Sequence, residues 1–556
     1  MKKSDLTAFC LGGLYSLGEG WRIQHPFSSF FITTDRSAFL FGFLTYGILS
    51  WLVVLIFRKF FSIVVNRFSA LSNVIVAFGS VGFLFSILYA LIPTYVFLHT
   101  GASNGKPNIL LITLDTTRAD HLGCYGYAGK TSPFLDSIAA KGVLFRQAYT
   151  SATWTLPAHT SLFTGKMPSV HGVGYKNFFL SPSLRTLAED LKAQGYSTAG
   201  FIGGPFLVSA FHIQRGFDYY DEQLDPHSKL KRYFVFRVLA GLLKRNLWET
   251  NGQRRADEMN AAVFPYLDWA QRHQPYFLFI NYFDPHEPYD PPEKYRDKSI
   301  TIKGNTHFYP LDINTGIARH QDGSPVSQEE FRQLRSLYDG EIRFMDDQIS
   351  ILWQRLETMG LLKNTLVIFV GDHGETIGER GLMDHGHNLY QEQLHIPMIF
   401  YEAGSWNGAK TINLPVQITD IRPTILEQLQ IPRPNDMQGR SLASLLTSTS
   451  ANERTILAEL DIDPHPRFTP FRREQKMILE KENKYIGSSN GKKELYDLTS
   501  DPEELQNLIA GKPELGFDLN EKMEFYFNAL QKMKNVPQQK LDDETREKLK
   551  SLGYTD

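Results

Sequence analysis

Asp115 closes the apolar run NILLITLD, and Asp372 with His373 closes another, TLVIFVGD. Two carboxylates and an imidazole delivered by separate strand ends suit one divalent cation with oxygen and nitrogen ligands. Taken alone, each aspartate is more often a helix cap or a turn residue; the combination favours metal. Thr155, in SATWTLPAHTSLFTG, precedes Pro157 by two positions. The spacing predicts a helix with Pro157 in its first turn and Thr155 as its N-cap. A hydroxyl there would also face the positive end of the helix dipole, beside the metal if Asp115 and Asp372 converge. Both influences favour an alkoxide and an anionic substrate, so cap and nucleophile are compatible roles.

Histidines supply the remaining candidates. His286 in DPHEPYDPP, and His385 and His387 in MDHGHNLY, lie in proline- and glycine-rich loops. They are candidates for binding substrate oxygens or protonating a leaving group. His159, His171 and Lys176, on or just after the Thr155 helix, are candidate substrate-binding residues; for His171 and Lys176 a solvated surface role is equally open.

These residues need a scaffold that brings strand ends together. NILLITLD, YFLFINYF (276–283) and TLVIFVGD read as strands buried on both faces, separated by helical stretches such as SPSLRTLAEDLKAQG (181–195). The alternation predicts an α/β sheet covered by helices, with ligands bound at the carboxyl ends of the strands. After residue 450 the character changes: RTILAEL, KYIGSS and ELYDL precede a charged helical tail from about Leu515, which suggests a smaller C-terminal subdomain.

The amino-terminal region has a different chemistry. SAFLFGFLTYGILSWLVVLIF (37–57) and ALSNVIVAFGSVGFLFSILYALIPTYVFL (70–98) carry no charge and are each long enough to span a bilayer. A shorter glycine-containing segment at 6–21 is a candidate third span. Between the two strong runs lie Arg58, Lys59 and Arg67, which the positive-inside rule places in the cytoplasm, so that everything after Leu98 is extracytoplasmic. The expected organisation is an anchor at 1–99, a linker at 100–107, a catalytic domain at 108–450, and a C-terminal subdomain with helical tail at 451–556. An insert at 229–248, KLKRYFVFRVLAGLLKRNLW, alternates basic and apolar residues and could cap the cleft or lie on the membrane surface.

Composition removes several function classes. The 58 basic and 60 acidic side chains give a formal net charge of -2, so no bulk field of one sign points to nucleic acid. Two cysteines, Cys10 and Cys124, exclude a disulfide framework and a multi-cysteine zinc site.

The ordered motifs NILLITLDTTRADHLGCYGY, TWTLPAHTSLFTGKMPSVHGV, RGFDYYDE, FLFINYFDPHEPY, VIFVGDHGETIGERGLMDHGHNLYQEQLHIPMIF and KELYDLTSDPEELQNL resemble the sulfatase family of the alkaline phosphatase superfamily. The resemblance runs from Asn108 to about Asn507. It implies a mixed α/β sheet with helices on both faces, a small C-terminal α+β subdomain, and one divalent metal (Ca, Mg, Mn or Zn) held by Asp115, Asp372 and His373, with Thr155 as nucleophile completing the set. Two departures stand out. Family sulfatases carry CxPSR, whose cysteine becomes formylglycine; this chain reads Thr155-Leu-Pro-Ala-His159, similar to the threonine-nucleophile branches that act on phosphate esters. The usual second aspartate of the metal pair is Thr116.

Together these expectations describe a membrane-anchored, metal-dependent hydrolase or transferase of phosphate or sulfate esters working through a covalent Thr155 intermediate, with phosphodiesters preferred. Lipid-linked esters or envelope glycans are candidate substrates, nucleic acid is not, and the location expected is the bacterial inner membrane with the catalytic domain outside. The alternatives are a sulfuric ester hydrolase that works without formylglycine, and an inactive membrane-anchored binding protein.

Overall fold

The computed structural model describes residues 105–224, 253–297, 317–320, 323–404, 409–447, 453–461 and 473–533. The expected spans at 6–21, 37–57 and 70–98, and the insert at 229–248, lie outside the described residues. Among the described residues no helix is long and apolar enough to cross a membrane.

Eight strands form the main sheet: β1 (Asn108–Leu114), β2 (Val143–Phe145), β3 (Ser197–Phe201), β4 (Tyr219–Asp221), β5 (Tyr276–Tyr282), β6 (Thr365–Gly371), β7 (Met398–Glu402) and β8 (Lys410–Ile412). Their order is β8-β2-β7-β6-β1-β5-β3-β4. The central β6-β1-β5-β3 run is parallel, while β7 is antiparallel to both of its neighbours and makes the sheet mixed.

The three central runs are buried at every position and mostly apolar because both faces are covered. Ile109 and Leu111 of β1 join one core with Phe277, Phe279, Ile368 and Val370, against helices α2 (Thr155–Thr164), α3 (Leu187–Ala193) and α6 (Ile421–Gln428). Leu110, Ile112 and Leu114 join the other with Leu278, Ile280, Val367 and Phe369, against α1 (Pro133–Ala139), α4 (Ala256–Ala270) and α5 (Gln328–Thr358). Strand side chains alternate between faces, so a strand sandwiched by helices has no polar side to show. Two helix starts carry the sequence signature of a capping box, Thr186 with Glu189 and Ser327 with Glu330.

Downstream, β9 (Thr455–Asp461), β10 (Glu474–Glu480), β11 (Asn483–Ser488) and β12 (Lys493–Asp497) pair antiparallel in that order. Helix α7 (Pro513–Lys532) packs on them through Leu519, Met523 and Phe527. This sheet reaches back to the main one through polar contacts with residues 380–391. Tyr390 donates to Glu494 Oε1 (2.7 Å), the Gln391 amide to Glu504 Oε2 (2.7 Å), and Arg380 to the Glu503 carbonyl (3.0 Å).

Candidate active site and metal centre

Register and alternation together build the site. Leu114 pairs with both Gly371 and Tyr282, so Asp115 and Asp372 are the first residues past adjacent strands. Two residues before each aspartate, Thr113 and Val370 occupy the positions that alternate toward the α2 face. Continuing that alternation turns both carboxylates toward the first turn of α2. Asn281 of β5 shares the face and donates to Thr113 Oγ1 and Asp115 Oδ2, each at 3.1 Å.

Helix α2 is buried at all ten positions, unusual for a helix with four hydroxyl residues and a histidine. Two of its hydroxyls are satisfied within the helix, Thr160 and Thr164 donating to the carbonyls four residues back. The N-cap is Trp154, in extended conformation, with no side-chain capping bond, which corrects the expected assignment to Thr155. Thr155 is the first helical residue, and its hydroxyl is turned to His373, 3.3 Å from Nε2. Pro157 lies in the first turn, where its missing N–H costs nothing.

His373 Nδ1 contacts the Gly374 carbonyl at 2.9 Å, so Nδ1 carries the hydrogen and Nε2 presents a lone pair. That nitrogen is 3.4 Å from Asp372 Oδ2 and 4.0 Å from Asp115 Oδ1. Both carboxylate oxygens are buried and accept no hydrogen bond, whereas Asp372 Oδ1 takes the amides of Thr116 (3.1 Å) and His373 (2.8 Å). Burial, and for Asp115 also the charge of Asp372, raises both carboxyl groups above the ordinary range. Burial likewise holds His373 well below the usual imidazole value. Two bare buried carboxylate oxygens, a lone-pair nitrogen and a hydroxyl form a donor set that fits a divalent cation, because a buried charge left unpaired is costly. Asp115, Asp372, His373 and Thr155 would hold it. Thr116, standing where the resemblance led us to look for a second aspartate, adopts φ 49°, a strained conformation for a β-branched residue. Its amide rather than its side chain serves the site.

The two loop histidines converge on the same place. His385 lies 4.5 Å from His373 and 5.0 Å from His286, ring centre to ring centre. His286 donates Nδ1–H to the Glu287 carbonyl (2.7 Å), leaving Nε2 as an acceptor, and burial lowers it to about 3. His385 is the opposite: burial alone would lower it, but Glu375 and Asp384 outweigh that and push it up to about 10.

Four expected substrate-binding residues are placed elsewhere. His159 is fully buried beneath the site, its Nδ1 on the Thr155 carbonyl (2.9 Å) and its Nε2 on Thr113 Oγ1 (3.0 Å). His171 receives the Val173 amide at Nδ1 (3.1 Å) and donates Nε2–H to Ser161 (3.0 Å). His387 bonds the Met383 carbonyl (2.8 Å) and contacts Asn388 (3.1 Å). Both ring nitrogens of each have partners within the protein, which makes these three braces of the frame in this structure. Lys176 is exposed and pairs with Asp461 (2.7 Å) and Glu474 (3.2 Å) of the C-terminal sheet. Its partners here are acidic side chains.

The sequence reading missed Asn281, Glu375 and Asp384. Glu375 and Asp384 stand beside already suspected histidines, and that adjacency was the available signal. Asn281 sits inside an apolar strand and gave none. Also missed was the stack of Tyr175 on Trp154 (4.4 Å between ring centres, 13° between planes), which walls the site next to Thr155.

Residues 107–431 match the model of the family described as Sulfatase. The chain belongs to the sulfatase family. Residues 378–532 also match the C-terminal domain described for N-sulphoglucosamine sulphohydrolase. An arylsulfatase of Clostridium perfringens is 26% identical over 443 residues, covering 73% of this chain and 90% of that one. A choline-sulfatase of Rhizobium meliloti is 24% identical, covering 73% and 83%. Among solved structures, a phosphonate monoester hydrolase of Agrobacterium radiobacter shares the fold with a TM-score of 0.61 and 21% identity, covering 76% of this chain and 96% of that one. A protein solved with its substrate D-glucosamine-2-N,6-O-disulfate shares it equally, with a TM-score of 0.61 and 18% identity over 77% and 98%. The chain is thus a sulfatase-family ester hydrolase with a mixed α/β sheet.

Proposed function

We propose that this sulfatase-family member is a metal-dependent hydrolase or transferase of phosphate or sulfate esters that works through covalent modification of Thr155, with phosphodiesters its preferred substrates. The observation that carries this reading is the Thr155 hydroxyl, 3.3 Å from His373 Nε2 at the N-terminus of a buried helix and next to two bare carboxylate oxygens. A bound divalent cation would favour the ionised hydroxyl and neutralise charge on the ester oxygens.

The rest follows from the chain's own groups. Thr155 Oγ1 forms the new bond to phosphorus or sulfur as the bond to the leaving oxygen breaks. His385, cationic at neutral pH, gives a proton or a hydrogen bond to the departing oxygen, while neutral His286 offers an accepting Nε2. Water or an acceptor alcohol then takes the group from threonine, losing its proton as it attacks, and the hydroxyl is restored. Chemistry favours phosphate. A formylglycine hydrate can expel sulfate by re-forming its aldehyde, whereas threonine has no such route and depends on attack at the central atom. Relatives include arylsulfatases and a phosphonate monoester hydrolase fold, which keeps a sulfate ester in view as the second substrate class.

The uncharged runs at 37–57 and 70–98 and the basic loop between them support an inner-membrane anchor with an extracytoplasmic catalytic domain. Lipid-linked esters or envelope glycans fit that setting. The test pairs phosphodiester, phosphomonoester and sulfate ester substrates on the purified chain, with mass spectrometry of the Thr155 peptide after quenching. A phosphoryl adduct on Thr155 is expected; full turnover by Thr155→Ala would overturn the reading.

A further inference from the structure

Gln393 lies outside the ester-cleaving set, fully buried in the one-turn helix Gln391–Leu394. Its carboxamide spans the backbone on both sides of His385. Nε2 donates to the Asp384 carbonyl (3.1 Å), and Oε1 accepts the Gly386 amide (3.1 Å). The second hydrogen on Nε2 goes to Thr376 Oγ1 (2.8 Å). A backbone carbonyl can only accept and an amide N–H only donate, so these partners settle which end of the carboxamide is oxygen.

The two backbone groups need a partner from outside their own turn. A short ribbon pairs Thr376 with Asp384 and Ile377 with Met383, and it stops there. Asp384 has φ 78° and Gly386 φ 75°, so the chain passes through the left-handed region on each side of His385. A regular ladder cannot run through such a turn, and its buried carbonyl and amide have to be satisfied elsewhere. Gln393 satisfies both. Extending the ribbon by one step sets Glu375 opposite His385, with Oε1 and Oε2 each 3.3 Å from Nδ1. Thr376 follows Glu375 in the chain, so one carboxamide joins the strand that holds the ring to the turn that holds its backbone.

We propose that Gln393 is a positioning residue that acts through His385, its carboxamide fixing the turn from which the imidazole reaches the leaving oxygen. The inference rests on the reading of His385 as the group that serves that oxygen.

The residue type fits the task. Methionine would fill the same volume, but glutamine carries a donor and an acceptor on one planar end at the required reach; asparagine is a carbon shorter, and an ionised glutamate has no donor. The seat of the clamp is itself fixed. The Gln393 amide donates to the Tyr390 carbonyl (3.1 Å), and Tyr390 and Gln391 are tied to Glu494 and Glu504 of the C-terminal subdomain. The Gln393 main-chain carbonyl takes the Gly374 amide (2.9 Å), and the Gly374 carbonyl takes His373 Nδ1–H (2.9 Å). Both contacts survive a change of the Gln393 side chain, so such a change should loosen His385 and spare the pair of Thr155 and His373.

The test uses Gln393→Met, which removes every polar contact of the side chain, and Thr376→Val, which removes one. In hydrogen exchange on the full-length chain, the Gly386 amide should exchange about tenfold faster in Gln393→Met, while α2 and β6 keep their protection. Thr376→Val should show a smaller change in the same place, and it decides the matter if the methionine variant does not fold. Unchanged exchange at Gly386 would overturn the clamp. Kinetics separates positioning from general support. On methyl phenyl phosphate, Gln393→Met should lose about tenfold more in kcat than on methyl 4-nitrophenyl phosphate, whose leaving group needs little help from an acid. Phenyl and 4-nitrophenyl sulfate take their place if the wild type cleaves only sulfate esters. In a His385→Gln background the same substitution should cost less than about twofold, because the group it positions is gone. Equal losses on the two esters, or an undiminished loss beside His385→Gln, would overturn the inference. A His385→Gln chain that treats the two esters alike would overturn the reading of His385 and the inference with it, while exchange at Gly386 would still report the clamp by itself.

Discussion

Thr155 Oγ1 stands 3.3 Å from His373 Nε2, and the two arrive from different elements, one on the first turn of buried helix α2 and one just past the end of β6. Neither can shift without disturbing the sheet or the core. If the hydroxyl is the nucleophile, Thr155→Ala should lose on the order of a thousandfold or more in kcat, whereas Thr155→Ser should keep part of it. Steady-state rates on the best substrate check this, with circular dichroism confirming that both variants fold.

Chelation should lower thermal stability. A ligand that binds only the folded chain adds about 2.7 kcal/mol at a hundredfold excess over its dissociation constant. Calorimetry should therefore show the wild-type midpoint rising when a divalent ion is restored, and Asp372→Asn, which removes a bare buried oxygen, should show a much smaller rise.

His171 supplies a test of pH dependence away from the metal ligands. Burial lowers its folded value to about 3, while the unfolded chain takes up a proton near the ordinary 6.5. The unfolded state thus binds more protons in that window, so stability is full above about 6.5 and is lost as pH falls toward 3. Each pH unit in the window costs about 1.4 kcal/mol from this one group. Denaturant unfolding of His171→Gln between pH 4 and 7 should be less acid-sensitive than the wild type by about that slope.

Gly386 links the aromatic wall to the histidine loop. Its φ is 75°, and a Cβ there would meet the Tyr175 hydroxyl at 2.5 Å, with the next contact, Trp154 Cβ, at 3.4 Å. Gly386→Ala should lower kcat by displacing His385. Adding Tyr175→Phe removes the clashing oxygen and should restore part of the loss, leaving about 1–2 kcal/mol of backbone strain. A double-mutant cycle on kcat and on stability checks the coupling.

Lys484 of β11 and Glu504 form a fully buried ion pair at 2.6 Å. Lys484→Met should cost about 3–5 kcal/mol by stranding Glu504, and a second change, Glu504→Leu, should recover much of it. Because Glu504 also accepts the Gln391 amide, the single variant should lose activity as well.

Much of this frame was legible in the chain, and the reason is local. β1, β5 and β6 are mostly apolar runs because both faces are covered, and such runs announce themselves and their polar end residues. Asp115, Asp372 and His373 were therefore visible as a set. Helix α2 was visible from the spacing of Thr155 and Pro157, but its N-cap was misplaced by one residue, since the competition between capping and His373 for the Thr155 hydroxyl is a tertiary matter. The roles of His159, His171 and His387 could not be read because a histidine's neighbours decide whether its nitrogens are free. β10 (EQKMILE) was missed because its charged and apolar residues do not alternate cleanly, although its partners β9 and β11 were seen. The ribbon that sets Glu375 against His385 has strands of only two residues, below what a sequence pattern can signal.

The polar clasp between residues 380–391 and the C-terminal sheet also bears on the order of synthesis. Glu494, Glu503 and Glu504, which anchor the segment on either side of His385, lie more than a hundred residues downstream of it. A growing polypeptide already carries Asp115, Thr155 and Asp372 when those anchors have yet to be made. If Thr155 is the nucleophile and His385 serves the leaving group, the first is in place before the contacts that brace the loop of the second can form. On that reading, activity should appear only once the 494–504 segment has been made and has folded.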